Sequence, residues 1–295
     1  MTLARAALVV VASVALIAVL VRLLEPRLAF FPSAGETTTP RDFGLAYEPL
    51  TIETVDGERL RAWLIPHSQP RALVVYFHGN GANLSNWTPI LTGIVRQGYS
   101  VLAFDYRGYG VSTGRPTEKG LFRDVDAILD HVWTKLKPSG PVIYWGRSLG
   151  VSMAAYAASR SRAALSGPPS RADLSGPPEP SGLILESGFP DARSLFRAPS
   201  PMALLALFST YRFPATRFLG NSQVPVLVMH GDADTVISYE QGRALYERIG
   251  GPKQFFTIRG GDHNDAAAPD ERAYWSAVRN FVDQRAVNSP QHETH

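Results

Sequence analysis

The sequence predicts an α/β fold with a mostly parallel central sheet and helices on both faces. Short apolar runs such as Ala72–Phe77 and Tyr99–Phe104 have the length and continuity of strands that are buried on both faces. Longer segments with a helical spacing of apolar residues, such as 84–96, alternate with these runs. Strands that alternate with helices are typical of a parallel sheet covered by helices.

The predicted elements follow one another in a regular order from Leu50. The segments Leu50–Val55 and Arg59–Ile65 flank Asp56-Gly57, a turn signal that predicts an antiparallel hairpin at one edge of the sheet. The other predicted strands are Ala72–Phe77, Tyr99–Phe104, Val142–Trp145, Leu183–Leu185, Val226–Met229 and Phe255–Ile258. The predicted helices are 84–96, 121–132, a segment from Leu149, 240–249 and 270–283.

The composition excludes several classes of protein. The chain has 295 residues, of which 45% are hydrophobic, and this is enough to bury a sizeable core. A formal net charge of +3 is too small for a nucleic-acid footprint, so we expect no nucleic-acid partner. The absence of cysteine excludes disulfides, thiol catalysis and Cys-ligated metal sites. Nothing in the sequence indicates an oligomeric state.

The N-terminus carries a long apolar segment. Ala6–Val21 is uncharged, and counting on to Leu24 gives the roughly 20 residues that a membrane span needs, provided that Arg22 reaches the interface. We therefore predict a single-pass membrane anchor at 1–24, whose flanking charges do not set an orientation. The alternative is a cleaved signal peptide, for which Pro32-Ser33-Ala34 is a poor cleavage site.

The rest of the chain divides by composition. A tether at 25–48 is predicted to connect the anchor to one domain at 49–285, which ends in a disordered polar tail at 286–295. Within the domain, 161–182 holds two copies of Leu-Ser-Gly-Pro-Pro and predicts a flexible surface loop. The segment 189–220 is rich in apolar residues and predicts a cap that lines an apolar pocket, or else a helix that covers the sheet.

The strongest chemical signal is Gly146-Arg147-Ser148-Leu149-Gly150, a G-x-S-x-G motif. The motif follows a predicted strand and opens an Ala-rich helix, which is the context of a nucleophile elbow. Small residues at 146 and 150 allow the strand and the helix to approach closely. The N–H of Leu149 would lie at the start of that helix and would point to a developing oxyanion. Ser148 is therefore the predicted nucleophile.

A serine nucleophile needs a base and a group that orients the base. Of the seven histidines, His263 lies in a glycine loop directly after the last predicted strand, and it is the predicted base. The acid should come from His230-Gly231-Asp232-Ala233-Asp234, which follows another strand. Asp234 is deeper in the loop and is preferred, but the spacing alone leaves Asp232 open.

A second oxyanion donor is expected after the strand Ala72–Phe77. The segment His78-Gly79-Asn80-Gly81 follows it, and the backbone N–H of Asn80 is the predicted partner of the Leu149 N–H. We assign no chemistry to the side chain of His78. The sequence has no phosphate-binding glycine loop, no dinucleotide fingerprint and no H-E-x-x-H motif, so neither a cofactor nor a metal ion is expected.

Taken together, these motifs resemble the α/β-hydrolase-domain serine hydrolases over about residues 45–285. The matching pieces are His78-Gly79-Asn80, Phe104–Gly110 with Ser112, Gly146–Gly150, Glu186-Ser187, His230–Asp234 and His263-Asn264-Asp265. The chain is most similar to a small membrane-anchored group that includes protein depalmitoylases, and it also resembles serine aminopeptidase-like domains. The resemblance implies the α/β-hydrolase fold and a triad of Ser148, Asp234 and His263, with the acid at Asp234.

Two features depart from that pattern: the Pro-rich insertion at 161–182 and the lack of an N-terminal cysteine cluster, which a peptide anchor replaces. The expected function is a serine hydrolase that cleaves a carboxylic ester or thioester of a hydrophobic acyl group through an acyl-enzyme. The expected partners are a small-molecule or lipid-like acyl substrate and the membrane. The alternatives are a peptidase or amidase on the same triad, and a non-catalytic binding protein with this fold.

Overall fold

The computed structural model describes residues 3–161, 176–195, 208–220, 222–265, 267 and 269–288. These residues form an eight-stranded sheet covered by helices, which confirms the predicted α/β fold. The strands are β1 Phe31–Pro32, β2 Glu48–Glu53, β3 Arg59–Ile65, β4 Leu73–Phe77, β5 Gly81–Ala82, β6 Ser100–Phe104, β7 Val142–Arg147, β8 Gly182–Glu186, β9 Val226–Gly231 and β10 Lys253–Ile258. The helices are α1 Leu3–Ala29, α2 Leu84–Arg96, α3 Glu118–His131, α4 Gly150–Ser159, α5 Ala215–Leu219, α6 Tyr239–Arg248 and α7 Glu271–Asn288.

The main sheet has the strand order β10-β9-β8-β7-β4-β6-β3-β2. All pairs from β10 to β6 are parallel, whereas β3 and β2 are antiparallel, as expected for the edge hairpin. The hairpin closes at Asp56-Gly57 with Glu53 opposite Arg59, and Gly57 supplies the positive φ of 85° that the turn requires. Parallel order places the carboxyl ends of β4, β7, β9 and β10 at one edge, where the site lies.

The core lies on both sides of the sheet because the central strands are buried on both faces. Every residue of β4, β6, β7 and β8 is buried. Val75 and Phe77 face a core that also contains residues of α3 and α4, while Val74 and Tyr76 face a core with residues of α2 and α7. This alternation explains why these strands read as unbroken apolar runs.

Helix α1 is the one helix among the described residues that is long and apolar enough to cross a membrane. Its mean hydropathy reaches 2.8 over 18 residues, none of them buried in the protein. A membrane span and a signal sequence both have these properties. The helix continues five residues past the predicted anchor, to Ala29, and the segment predicted as a tether, 25–48, makes hydrogen bonds to the domain.

Besides residues 1–2 of the predicted anchor, parts of three predicted segments lie outside the described residues. These are 162–175 of the predicted Pro-rich loop, 196–207 of the predicted cap and 289–295 of the predicted tail. The predictions for those residues stay predictions.

A buried ion-pair cluster fixes the turn after β6. Arg107 is 5% exposed, and its guanidinium donates to Asp124 at 2.8 Å and to Asp56 at 2.9 Å. Asp124 is fully buried in α3, so the cluster ties the edge hairpin and a helix to the turn. The hydrogen bonds from Arg107, together with those from Thr54 and Arg123, outweigh burial and hold the pKa of Asp56 well below its usual range.

We expect Arg107→Met to lower the free energy of unfolding by about 3–5 kcal/mol, because it leaves a carboxylate buried without its partner. Arg160→Met is the matched control, since Arg160 pairs with Asp126 at the surface with 45% of its side chain exposed. Its loss should cost about 0–1 kcal/mol. Urea unfolding of the full chain in detergent micelles measures both changes, and equal losses would contradict this assignment.

Candidate active site

Ser148 occupies a sharp turn between β7 and α4. Its φ is +55°, in the left-handed region that L-residues rarely adopt. The turn is held because the Ser148 N–H donates to the carbonyl of Glu186 at 2.9 Å, and Val151 donates back to the Ser148 carbonyl at 3.1 Å. Strain of this kind persists only where the surroundings enforce it, and it projects the hydroxyl away from the sheet.

The two motif glycines allow this turn because there is no room for a side chain. A Cβ at Gly146 would lie 2.2 Å from the carbonyl oxygen of Gly150. A Cβ at Gly150 would lie 1.9 Å from the carbonyl oxygen of Phe77, the last residue of β4. Helix α4 therefore begins in direct contact with the loop that leaves β4.

The structure brings the three predicted triad residues together from the ends of three strands. His263 follows β10, and its Nε2 lies 3.2 Å from Oγ of Ser148. Its Nδ1 lies 2.8 Å from Oδ2 of Asp234, which follows β9. Both distances are within reach of a hydrogen bond. The side chain of His263 is 10% exposed and that of Asp234 is fully buried, whereas Ser148 is half-buried, so exposure to water rises from the carboxylate towards the serine.

Asp234 is fixed as an ionised acceptor. Its Oδ1 accepts hydrogen bonds from the backbone N–H groups of Val236 and Ile237 at 2.9 and 2.7 Å. Burial favours the neutral acid, but the hydrogen bonds from His230, His263 and Ile237 outweigh it and hold the pKa of Asp234 well below its usual range. A charged carboxylate at this place can stabilise an imidazolium on His263.

Asp232, the alternative acid, has a different partner. Its carboxylate accepts from the backbone N–H of Gly260 at 2.6 Å, which links the β9 loop to the β10 loop. Asp262 strengthens the same link, because it accepts from the N–H of Thr235 and from that of His263, both at 2.7 Å. These two carboxylates hold the loops that carry Asp234 and His263.

The predicted oxyanion donors are the backbone N–H groups of Asn80, in the loop after β4, and of Leu149, which directly follows Ser148. A Cβ built on Gly79 would be 3.3 Å from Cβ of Ser148, which places the β4 loop against the elbow. Neither the Asn80 N–H nor the Leu149 N–H donates to another described residue, although Leu149 is only 5% exposed. Unpaired N–H groups in a buried position are rare, and the Leu149 N–H is one of them, whereas Asn80 is half-buried.

His78 supports the β4 loop. Its Nδ1 lies 2.7 Å from the Gly79 carbonyl and its Nε2 lies 3.5 Å from Asp105. The hydroxyl of Tyr106 donates to the His78 carbonyl at 3.3 Å. The ring is fully buried, and these contacts hold the loop that leads to Asn80.

Sequence reasoning missed Arg147, although it lies inside the G-x-S-x-G motif. Its guanidinium donates to the His263 carbonyl and lies 3.6 Å from Glu186. Glu186 also accepts from the indole N–H of Trp145 and the hydroxyl of Tyr274, both at 3.0 Å. This buried pair therefore ties the loop of His263 to β7, the strand that directly precedes Ser148. The only signal in the sequence was a charged residue in an otherwise apolar turn.

Sequence reasoning also missed the role of His230, which contacts Asp234. Nε2 of His230 lies 3.4 Å from Oδ2 of Asp234 and 2.8 Å from the carbonyl of Ile237. His230 is fully buried at the end of β9, so it packs beneath the acid and fixes its position. Its place four residues before Asp234 was a signal that could have found it.

A cavity of about 620 Å³ lies beside the described parts of the predicted cap at 189–220. Its wall consists of Glu118, Lys119, Phe122, Asp191, Arg193, Arg212, Pro214, Thr216 and Arg217. No triad residue lines it, and charged side chains are prominent in its wall. The expected apolar pocket at the triad stays a prediction, since 196–207 lie outside the described residues. Among the described residues, no cluster of three or more His, Asp and Glu side chains could hold a metal ion.

Comparisons with known proteins identify the family to which this fold belongs. Residues 72–195 match the α/β-hydrolase fold family. An uncharacterised protein of Mycobacterium tuberculosis is 31% identical over 95% of this chain and 96% of its own length. An uncharacterised membrane protein of Saccharomyces cerevisiae is 31% identical over 83% of this chain and 82% of its own. The chain therefore belongs to the α/β-hydrolase fold family.

Solved structures show the same fold. An esterase of Pyrococcus furiosus superposes with a TM-score of 0.67 at 19% identity and covers 88% of this chain and 98% of its own. An α/β hydrolase of Vibrio vulnificus gives a TM-score of 0.63 at 21% identity, with 80% of both chains covered.

We expect Gly150→Ala to lower kcat at least tenfold and to destabilise the protein by about 1–3 kcal/mol, because the new methyl group displaces the carbonyls of Phe77 and His78. Gly140→Ala is the control, since a Cβ there meets no atom within 4 Å. Ester turnover and thermal unfolding of the purified full chain measure both effects. Wild-type turnover by Gly150→Ala would show that helix α4 need not touch the β4 loop.

We expect Asp234→Asn to lower kcat by about 10³–10⁴-fold, because an amide N–H opposite Nδ1 selects the tautomer of His263 that cannot accept the serine proton. Asp232→Asn should change kcat less than about threefold, since the amide oxygen still accepts from Gly260. Both rates come from the same ester assay. A larger loss in Asp232→Asn than in Asp234→Asn would reverse the assignment of the acid.

Proposed function

We propose that the protein is a serine hydrolase that cleaves a carboxylic ester or thioester through an acyl-enzyme. The observation that carries the proposal is the continuous line of contacts from Oγ of Ser148 through His263 to Asp234, with separations of 3.2 and 2.8 Å. A serine hydroxyl is a weak nucleophile unless an adjacent base removes its proton, and this line supplies the base and its orienting group.

In the first half of the reaction, Oγ of Ser148 forms a bond to the acyl carbon while Nε2 of His263 takes the hydroxyl proton. The bond to the leaving alcohol or thiol then breaks, and His263 returns the proton to the departing oxygen or sulfur. In the second half, water adds to the acyl carbon of the ester formed on Ser148, and His263 takes a proton from that water. The carboxylic acid leaves and Ser148 regains its proton.

The N–H groups of Asn80 and Leu149 supply the oxyanion hole in this proposal. Negative charge develops on the carbonyl oxygen in both halves of the reaction, and two preorganised donors stabilise it without any reorganisation. Each donor of this kind contributes about 2.7–4 kcal/mol to the transition state. Their lack of partners among the described residues fits a role that begins only when substrate is bound.

A hydrophobic acyl group is the proposed substrate feature, and the enzyme is proposed to act while anchored by α1. Helix α1 supports this, since its apolar surface is exposed to the surroundings and not packed in the protein. The yeast relative is named a membrane protein. Structural neighbours from Pyrococcus furiosus and Rhodothermus marinus are named esterases, which supports an ester over an amide.

A fluorophosphonate probe tests the nucleophile. We expect it to label the full chain in detergent at one site and Ser148→Ala not at all, because the probe forms a covalent bond only with an activated serine. Ser187→Ala is the matched control: Ser187 also follows a strand at this edge of the sheet, is buried, and has a positive φ of 50°. It should label like the wild type.

The same protein should hydrolyse p-nitrophenyl esters and acyl thioesters, with kcat/KM rising with acyl length. A profile confined to short chains would contradict the hydrophobic substrate, and faster cleavage of aminoacyl amides would favour a peptidase. Equal labelling of wild type and Ser148→Ala would favour a non-catalytic binding protein.

A further inference from the structure

The C-terminal end of α1 is built into the domain. Leu23 and Leu28 are 70% and 65% exposed, whereas Glu25 and Phe30 are only 6% and 3% exposed. Glu25, near the end of α1, and Phe30, the first residue after it, are thus buried, although each has an exposed neighbour in the chain. The helix does not simply lead to the domain through a loose connection, because its end is already part of the folded protein.

Glu25 is the first contact. Its carboxylate accepts hydrogen bonds from the N–H groups of Thr210 and Tyr211 at 2.8 and 3.0 Å, and from the hydroxyls of Ser209 and Thr210. A carboxylate at the end of an apolar helix needs such donors when it is removed from water. These hydrogen bonds fix α1 to residues 209–211 of the predicted cap.

Phe30 is the second contact. Its ring lies 5.5 Å from that of Tyr211 and 6.0 Å from that of Phe213, in tilted and edge-to-face arrangements that stabilise aromatic clusters. Leu28, two residues before, has no comparable burial. Phe30 is therefore the apolar anchor that sets where α1 ends relative to the domain.

The third contact reaches the predicted oxyanion loop. The side-chain amide of Asn80 donates to the carbonyl of Ala29 at 2.7 Å, and so satisfies one of the free carbonyls at the end of α1. The hydroxyl of Tyr109 contacts both the side-chain oxygen and the backbone carbonyl of Asn80 at 2.9 Å. The residue whose N–H is proposed to hold the oxyanion is thus oriented by the last residue of α1.

The chain after α1 holds the other side of the same loop. Strand β1 runs parallel to β5, with Phe31 opposite Gly81 and Pro32 opposite Ala82. The amide of Asn83 donates to the carbonyl of Gly35 at 2.9 Å. Residues 29–35 therefore contact the side chain of Asn80 and the three residues that follow it, 81–83.

We propose that residues 25–35 are a positioning element of the active site, which aligns the N–H of Asn80 with the oxyanion. The rate of catalysis therefore depends on the position of α1 relative to the domain. The inference rests on the proposed function. Donors in an oxyanion hole act through their exact placement before reaction, so a small displacement reduces transition-state stabilisation more than substrate binding. Phe30 and Asn80 are positioning residues here, since their side chains touch neither the nucleophile nor the base.

The test compares full-length variants in detergent micelles, with rates expressed per active site titrated by a fluorophosphonate. Phe30→Ala removes the aromatic anchor, and Leu28→Ala is the control that shortens an exposed side chain on the same helix end. Asn80→Asp replaces the donor to Ala29 with a carboxylate of the same shape. Asn86→Asp is its control, because it makes the same change at an exposed position in α2.

We expect Phe30→Ala and Asn80→Asp to lower kcat by about tenfold or more with KM within twofold, and to weaken inhibition by a trifluoromethyl ketone by the same factor. Ser148 adds to the carbonyl carbon of that ketone, and the resulting alkoxide occupies the oxyanion hole. Phe30→Leu should recover most of the rate. The double variant Phe30→Ala/Asn80→Asp should be no slower than Asn80→Asp alone, since both substitutions act by displacing the same N–H group of Asn80. Leu28→Ala and Asn86→Asp should match the wild type.

A purely structural role would lower the number of titrated sites and leave kcat per site and ketone affinity unchanged. That result in Phe30→Ala or in Asn80→Asp would overturn the inference. Failure of the proposed function is distinguishable, because the wild type itself would then take up no fluorophosphonate and hydrolyse no ester. That outcome would overturn both proposals together.

Discussion

The arrangement of the site depends on one strained peptide, the turn at Ser148. Its left-handed backbone, with φ of +55°, is possible only because β7, β8 and α4 surround it and because Gly146 and Gly150 leave space for backbone against backbone. The same close approach packs the start of α4, directly after Leu149, against the carbonyls of Phe77 and His78. The position of the hydroxyl and that of a proposed oxyanion donor are therefore consequences of a single packing constraint.

The parallel order of the sheet brings the three predicted triad residues to the same edge. Because β7, β9 and β10 run in the same direction, the loops that carry Ser148, Asp234 and His263 leave the sheet at the same edge. Polar links between the loops then set their final positions. Asp232 binds the backbone of the histidine loop, and Arg147 binds the carbonyl of His263 itself.

Most strands, helices and the hairpin turn could be predicted from the sequence because they depend on local residue patterns. The Asp56-Gly57 turn lies where the hairpin closes, and the apolar run predicted at Ala72–Phe77 corresponds to β4 at Leu73–Phe77. Strands buried on both faces and amphipathic helices leave a periodic signature that needs no knowledge of the tertiary structure. The order of the motifs along the chain then placed the candidate residues at strand ends.

The rest could not be predicted, because it depends on pairs of residues far apart in the chain. Nothing in the periodicity indicates that Arg147 reaches the loop at 263 or that Asn80 binds the end of α1. The segment 25–48 has a linker-like composition, and yet β1 pairs with β5 through only Phe31 and Pro32, a stretch too short to leave a periodic strand signal. Such contacts use backbone groups and single polar side chains, which sequence patterns do not distinguish from solvated ones.

The most direct test of the central claim is a crystal structure of the full-length protein after reaction with a fluorophosphonate. We predict phosphorus bonded to Oγ of Ser148, with the phosphonyl oxygen within hydrogen-bond distance of the N–H groups of both Asn80 and Leu149, and His263 still in contact with Asp234. An adduct on another residue, or a phosphonyl oxygen directed away from those two N–H groups, would contradict the account.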